Sequence, residues 1–240
     1  MTDSPTRVEV HRRVVLPALI VLTVVTGVVD AVSLLGLGQV FVAIMTGNVV
    51  FVGLGLAGAR GVPLLEPAIA LAAFLTGAAA AGRVINRRAG HRGRVLYGAV
   101  AVKLAFALGA VLIAALGLHE DSRAARLAMI VLMSSGMAVQ NAGVRHLGIR
   151  DFTTTLLTLT LTGLAAESRL AGGPGGRPVR RLTSVVALAG GAFVGAALVL
   201  NVGLVWPMAA LVACLLVLVL TVTGLNLRRT VAADWEVPRP

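Results

Sequence analysis

The stretch Gly38–Gly58, GQVFVAIMTGNVVFVGLGLAG, decides how this chain is read. It is apolar enough for hydrocarbon, yet near its middle it carries Thr46, Gly47 and Asn48: a hydroxyl, a residue that weakens helices and an amide. In lipid every backbone N–H and C=O needs a partner. A polar, glycine-containing step inside an apolar segment therefore marks a helix that opens, where Thr and Asn side chains satisfy the freed groups or hold a ligand. The exposed ends of such a helix carry partial charges, and discontinuous helices build midplane sites from them. The competing reading is packing, with Gly47, Gly53 and Gly55 letting neighbouring helices approach closely.

The rest of the chain agrees with a membrane setting. Of 240 residues 58% are apolar and 13% charged, where soluble domains carry about a quarter charged residues. Apolar segments run over about 14 to 36, 40 to 58, 66 to 86, 95 to 117, 124 to 147, 152 to 166, 182 to 203 and 205 to 226. Most of them reach the roughly 20 residues needed to cross hydrocarbon. The second is interrupted by Thr46-Gly47-Asn48, and the sixth, FTTTLLTLTLTGLAA, carries six threonines and is barely long enough. The net charge of +11 comes from arginines between the apolar segments rather than along one basic face, so they read as topology signals and not as a nucleic-acid surface. Cys214 lies inside an apolar run, which excludes a disulfide framework. The first apolar segment is too long for a secretory leader and is expected to be retained as a span.

Basic residues accumulate on the cytoplasmic side of short loops. With eight full spans, Arg83, Arg87, Arg88, Arg92, Arg94, Arg145 and Arg150 fall outside, against that rule. When the second and sixth segments enter and return on one side, these arginines and those from Arg169 to Arg181 lie inside, leaving only Arg60, Arg123 and Arg126 outside. The expected fold is therefore an all-α polytopic transmembrane bundle with six crossings, two re-entrant or broken helices and both termini cytoplasmic. Eight full spans is the alternative. The corresponding division is a tail 1–13, a first membrane repeat 14–117, a connecting loop 118–123, a second membrane repeat 124–226 and a tail 227–240.

An internal duplication fits this count. GVVDAVSLLGLGQVF (27–41) placed over MAVQNAGVRHLGIRDF (137–152) aligns Ala31 with Ala142 and Phe41 with Phe152, at an offset of 111, and Asp30 falls on Asn141. FLTGAAAAG (74–82) also resembles FVGAALVLN (193–201). Three crossings per half would give the halves opposite orientation, an inverted repeat, which is a recurrent transporter architecture.

TGVVDAVSLL, MTGNVVFVGLGL and GMAVQNAGVRHLGIRDFTTTLLTLTLTGLA together resemble the YoaK-type family of uncharacterised bacterial membrane proteins, over nearly the whole chain. The most specific parts are Asp30-Ala31, Thr46-Gly47-Asn48, Gln140-Asn141-Ala142 and Thr153-Thr154. The resemblance implies an integral protein of the bacterial cytoplasmic (inner) membrane, sometimes described as a transporter, and supplies neither substrate nor assigned site. Where the family tends to show a second TG-like step, this chain has Thr158 and Thr160 in a Leu/Thr run.

The candidate site residues follow from the cost of polar groups in lipid. Asp30 lies about sixteen residues into the first segment, where an ionised carboxylate costs a few kcal/mol, and such residues mark proton or cation sites by default. A carboxyl hydrogen-bonded to a neighbouring helix end is the bland alternative. Gln140 and Asn141 are costly to hide in lipid and suit a cavity. Thr154, Thr158 and Thr162 share a helical stripe, for which bonding to neighbouring helices is the simpler explanation. Lys103, the single lysine, sits near enough to the inner interface to snorkel, and about 12 Å from Asp30 in depth at 1.5 Å rise per residue, too far for direct pairing in straight helices.

The chain has no GxxxxGK[ST], HExxH or GxSxG and no Cys/His cluster, so neither an enzyme, a cofactor nor a metal site is expected. GGPGGRPVRR (172–181) reads as a flexible loop. The expected function is a secondary transporter or permease of a small solute or ion, proton-coupled through Asp30, with a midplane site from Asp30, Thr46, Gly47, Asn48, Gln140, Asn141, Thr154 and Thr158. A channel is the near alternative, and a non-transporting scaffold or assembly factor the distant one. The expected partners are the lipid bilayer and that solute, with no nucleic acid and with a homo-oligomer left open.

Overall fold

The computed structural model describes residues 16–88, 92–146, 157–168, 171–173 and 178–227. Among these residues every regular element is helical: α1 (Leu16–Gly36), α2 (Met45–Leu56), α3 (Leu65–Arg88), α4 (Arg92–Ala115), α5 (Leu118–Asp121), α6 (Arg123–His146), α7 (Leu157–Ala166), α8 (Pro178–Val202) and α9 (Val205–Leu227). Helices α1, α3, α4, α6 and α8 are long and apolar enough to cross a membrane, while α2 and the apolar part of α9 (Val205–Thr221) are shorter. The chain is a helical membrane bundle.

Helix directions can be read from side-chain contacts at the ends. Glu66, at the start of α3, is paired with Arg123 at the start of α6 at 2.9 Å, and Gly77 of α3 packs on Ser135 and Ala138 of α6, so these helices run parallel. Helices α1 and α8 are also parallel, because Gly191 meets Val24 and Gly195 meets Val28 and Ala31. Helix α4 opposes α6: Gly143 meets Ala99, and Gly109 meets Leu132. Gly38, just past α1, lies against Glu66, and Gly36 lies against Leu204 between α8 and α9. The end of α1, the start of α3 and the α8–α9 turn therefore share one end of the bundle, called here the top.

Helix α1 stops because Gly38 adopts φ 105°, a conformation that side chains rarely allow, and the Gln39 N–H then donates to the Leu34 carbonyl at 3.2 Å. The chain turns back along α1 and starts α2 at Met45. Helix α2 ends in the same way at Gly58, φ 77°, with the Ala59 N–H on the Leu54 carbonyl at 3.1 Å. It packs on α3. The break in this segment thus precedes Thr46-Gly47-Asn48, which form the first turn of α2 instead of opening its middle.

The contacts repeat with the halves exchanged. Helix α1 packs on α8 as α6 packs on α3, α9 on α1 as α4 on α6, and α7 on α8 as α2 on α3, while α4 and α9 pack on each other. Helices α1 and α6 are mostly buried, and α3 and α8 mostly exposed at the rim. The core runs through α1, the 37–43 turn, α4, α6 and α9, with Leu22, Val32, Val40, Met129, Met137 and Leu215 fully covered. At the end opposite the top, Arg181 of α8 bonds Glu167 just past α7 at 2.6 Å and holds that exposed carboxyl below its ordinary value.

Candidate functional site

The polar step of Gly38–Gly58 is built into the turn before α2. Asn48 is fully buried, its Oδ1 accepting the Phe41 N–H at 3.0 Å and its Nδ2 donating to the Phe41 carbonyl. One amide side chain thus satisfies both backbone groups of one residue, which would otherwise be orphaned in a medium that offers no replacement. Gly47 leaves room for the Phe41 ring, since a Cβ there would stand 2.7 Å from Phe41 Cδ2. That ring stacks on Phe51 with centroids 6.0 Å apart. Thr46 is exposed, and Gly53 meets no neighbouring side chain.

Asp30 lies in α1, about 9 Å of helix rise below its top end. Its side chain is buried at 5% exposure, and Oδ1 accepts the Ala43 N–H at 2.9 Å, flanked by the amides of Val42 and Ile44. These amides immediately precede α2, whose N-cap residue, Ile44, supplies no side-chain cap. An acid on one helix thus takes the place of a cap on the next, in the favoured place for an anion beside a helix N-terminus. Its second oxygen, Oδ2, has no hydrogen-bond partner.

Lys103 does not snorkel. It is buried at 4% exposure, and its Nζ donates to Gln140 Oε1 of α6. Gln140 Nε2 in turn donates to Thr26 Oγ1 of α1 at 3.5 Å, and Thr26 Oγ1 to the Leu22 carbonyl at 2.7 Å. Gly136 of α6 faces the lysine stem, and a Cβ there would make ordinary contact at 3.5 Å from Lys103 Cγ. The lysine and Asp30 act on each other electrostatically, without a direct hydrogen bond.

The structure therefore brings Asp30 and Gln140 together with Thr26, Lys103 and the Val42–Ile44 amides. Asn48 stands one turn further along α2 with its bonds spent on Phe41. Asn141 is half-buried with Nδ2 unpaired, and Thr158 is exposed on α7, which packs on α8. Thr154 falls outside the described residues. Thr26 and Lys103 escaped sequence reasoning as site members. The available signal was that the chain's one lysine stands in an apolar run, where a charge needs a partner. Beside Lys103 lies a cavity of about 20 Å³, lined from the first half by Val29, Phe106 and Ala107 and from the second by Leu132, Met137 and Met208. That is room for roughly one water molecule.

Residues 18–223 match the family described as "Protein of unknown function (DUF1275)". The chain is 32% identical over 149 residues to UPF0700 transmembrane protein YoaK of Bacillus subtilis (strain 168), an alignment covering 61% of this chain and 64% of that protein's length. No solved structure matches it. A polytopic helical bundle with an acid, a lysine and an amide buried between its helices, matched over most of its length, this chain belongs to the DUF1275 family of membrane proteins.

Proposed function

We propose that this protein is a secondary carrier of a small solute, linked to proton movement, with six crossings and two half-length helices that enter from opposite faces. Both termini and the Arg83–Arg94 loop are cytoplasmic in this reading, and the halves form an inverted repeat. The observation that carries it is the Asp30–Lys103 pair, set between α1, α4 and α6, helices from both halves, at the start of a half-length helix. Two opposite charges without a direct bond, deep in a bundle, are costly as a purely structural device and serviceable as a centre whose charge changes.

The architecture is supported by helix direction. Helix α2 follows the top end of α1 and precedes the top end of α3, so both its ends point to one face, while α7 lies between the bottom ends of α6 and α8. The repeat is supported by the exchange of contacts between halves. Gly77 rests on Ser135 and Ala138, and Gly195 rests on Val28 and Ala31. This pairs Ala31 with Ala138, one turn from the Ala142 that the sequence comparison chooses.

No enzymatic step, cofactor or nucleic acid belongs to this proposal. Its test is uptake into proteoliposomes under a pH gradient, over a panel of small solutes. Wild type is expected to accumulate one of them with the gradient, and Asp30→Asn at equal abundance to lose that dependence. A non-transporting scaffold is the second reading, favoured by the close packing of Asn48 and the small cavity. A panel with no gradient-driven uptake, from protein that is folded and inserted, selects the scaffold.

A further inference from the structure

We propose that the Val42–Ala43–Ile44 amides and the Lys103 ammonium form a seat for a small monocarboxylate, in which Asp30 is the resident anion and gives way on taking up a proton. The proposal rests on the carrier reading and names its substrate class.

Three independent observations meet at this point. The Ala43 amide donates to one carboxylate oxygen with the Val42 and Ile44 amides beside it, a backbone arrangement that binds anions, and the helix that follows adds its positive end. Lys103 acts on the same carboxyl from α4, with one of its three N–H donors spent on Gln140. Asp30 Oδ2, on a side chain only 5% exposed, has no hydrogen-bond partner. The donors thus hold one oxygen of the resident carboxylate and leave the other without a hydrogen bond. Their geometry already accommodates a carboxylate, because it holds one.

Charge balance then sets the coupling. In a low-dielectric interior the ammonium needs one negative partner, and a second anion beside Asp30 would leave the centre with a net negative charge. Once Asp30 is protonated the centre is short of that charge, and an incoming carboxylate restores it. One proton and one monocarboxylate enter together, and the centre is neutral before and after. The groups facing Asp30 allow this exchange. Lys103 is the charged group that α4 presents, α6 contributes neutral Gln140, the turn before α2 contributes backbone amides, α8 meets α1 through Leu188, Gly191, Ala192 and Gly195, and α9, which also packs on α1, carries no Asp, Glu, His, Lys or Arg. The cavity of about 20 Å³ beside Lys103 restricts the closed form to something no larger than a water molecule. A substrate of several atoms therefore requires the helices that line the cavity, α1, α4, α6 and α9, to part.

The test uses the purified full-length protein in detergent and formate as probe, with formate replacing gluconate at constant ionic strength. In Asp30→Ala formate is expected to raise the unfolding midpoint saturably, and in Asp30→Ala/Lys103→Leu to do nothing. Wild type should respond at about pH 5 and respond at least about tenfold more weakly at about pH 8, where the carboxylate keeps its seat. If Asp30→Ala does not fold, Asp30→Asn takes its place with the same expectation. Indifference of both variants to formate overturns the seat, as does a response that is equal in wild type at the two pH values or survives loss of Lys103. Uptake is scored separately. Saturable formate binding without flux removes the carrier reading and keeps the seat, whereas proton-linked flux of a cation or neutral solute without formate binding removes the seat alone.

Discussion

At the scale of single residues, the polar groups divide by whether their hydrogen bonds are complete. Asn48 has both ends of its amide on Phe41, with Nδ2 also on Met45 Sδ, so its donors are spent inside the fold. Asn48→Ala would orphan the N–H and the C=O of half-buried Phe41, each costing about 1–3 kcal/mol in a medium without water. The expected result is a loss of roughly 2–5 kcal/mol, read as a lower unfolding midpoint in detergent, with Asn48→Asp little better because a carboxylate cannot donate to the Phe41 carbonyl. Asp30 and Lys103 differ in that each has unspent capacity. The sequence marks all three residues as expensive in lipid, but it cannot say which are satisfied. That depends on the chain reversing at Gly38 and carrying Ala43 back beside Asp30.

At the scale of elements, the closest helix pair is α1 with α8, and glycine is the reason. A Cβ on Gly27 would stand 2.2 Å from the Leu188 carbonyl oxygen, and one on Gly191 would stand 2.1 Å from the Val24 carbonyl oxygen. With lipid as apolar as the helices, association relies on this approach of backbones, and Gly191 and Gly195 form the small-xxx-small spacing that permits it. Gly191→Ala is expected to force the helices apart at about 1–3 kcal/mol. Gly190→Ala, whose Cβ enters open space, should be neutral or stabilising by up to about 1 kcal/mol. Denaturant titration of the two variants in parallel checks this, and equal effects would remove the packing role. The sequence repeat FLTGAAAAG over FVGAALVLN points at Gly77 and Gly195, both of which do pack on a first helix of a half. The Thr158 stripe, by contrast, reads as a buried polar face and is exposed at Thr158 and Thr162, with Thr160 buried instead. A stripe shows which residues share a side of a helix, but not which side meets a neighbour.

At the scale of the whole molecule, the alternating directions of α1, α3, α4, α6, α8 and α9 predict which loops share a face. In a Cys214→Ser background, single cysteines at Arg60 and Asp121 are expected to react with an impermeant thiol reagent from the outside of intact cells. Cysteines at Arg88 should react only after the membrane is opened. Reaction of Arg88→Cys from outside would restore eight full spans. The sequence by itself determined the solvent and the helical class, because these follow from composition and segment length, quantities that add along the chain. It also marked Asp30 and Gln140 as residues that need partners. Only the tertiary structure decided what those partners are. Hydrogen bonds and charge pairs form between groups far apart in sequence, and a shift of a single helical turn, about 5.4 Å, replaces every one of them. Thus Lys103 turns inward where Gln140 stands opposite, and Asp30 accepts the N–H of Ala43, thirteen residues later in the chain and just before the helix that begins at Met45.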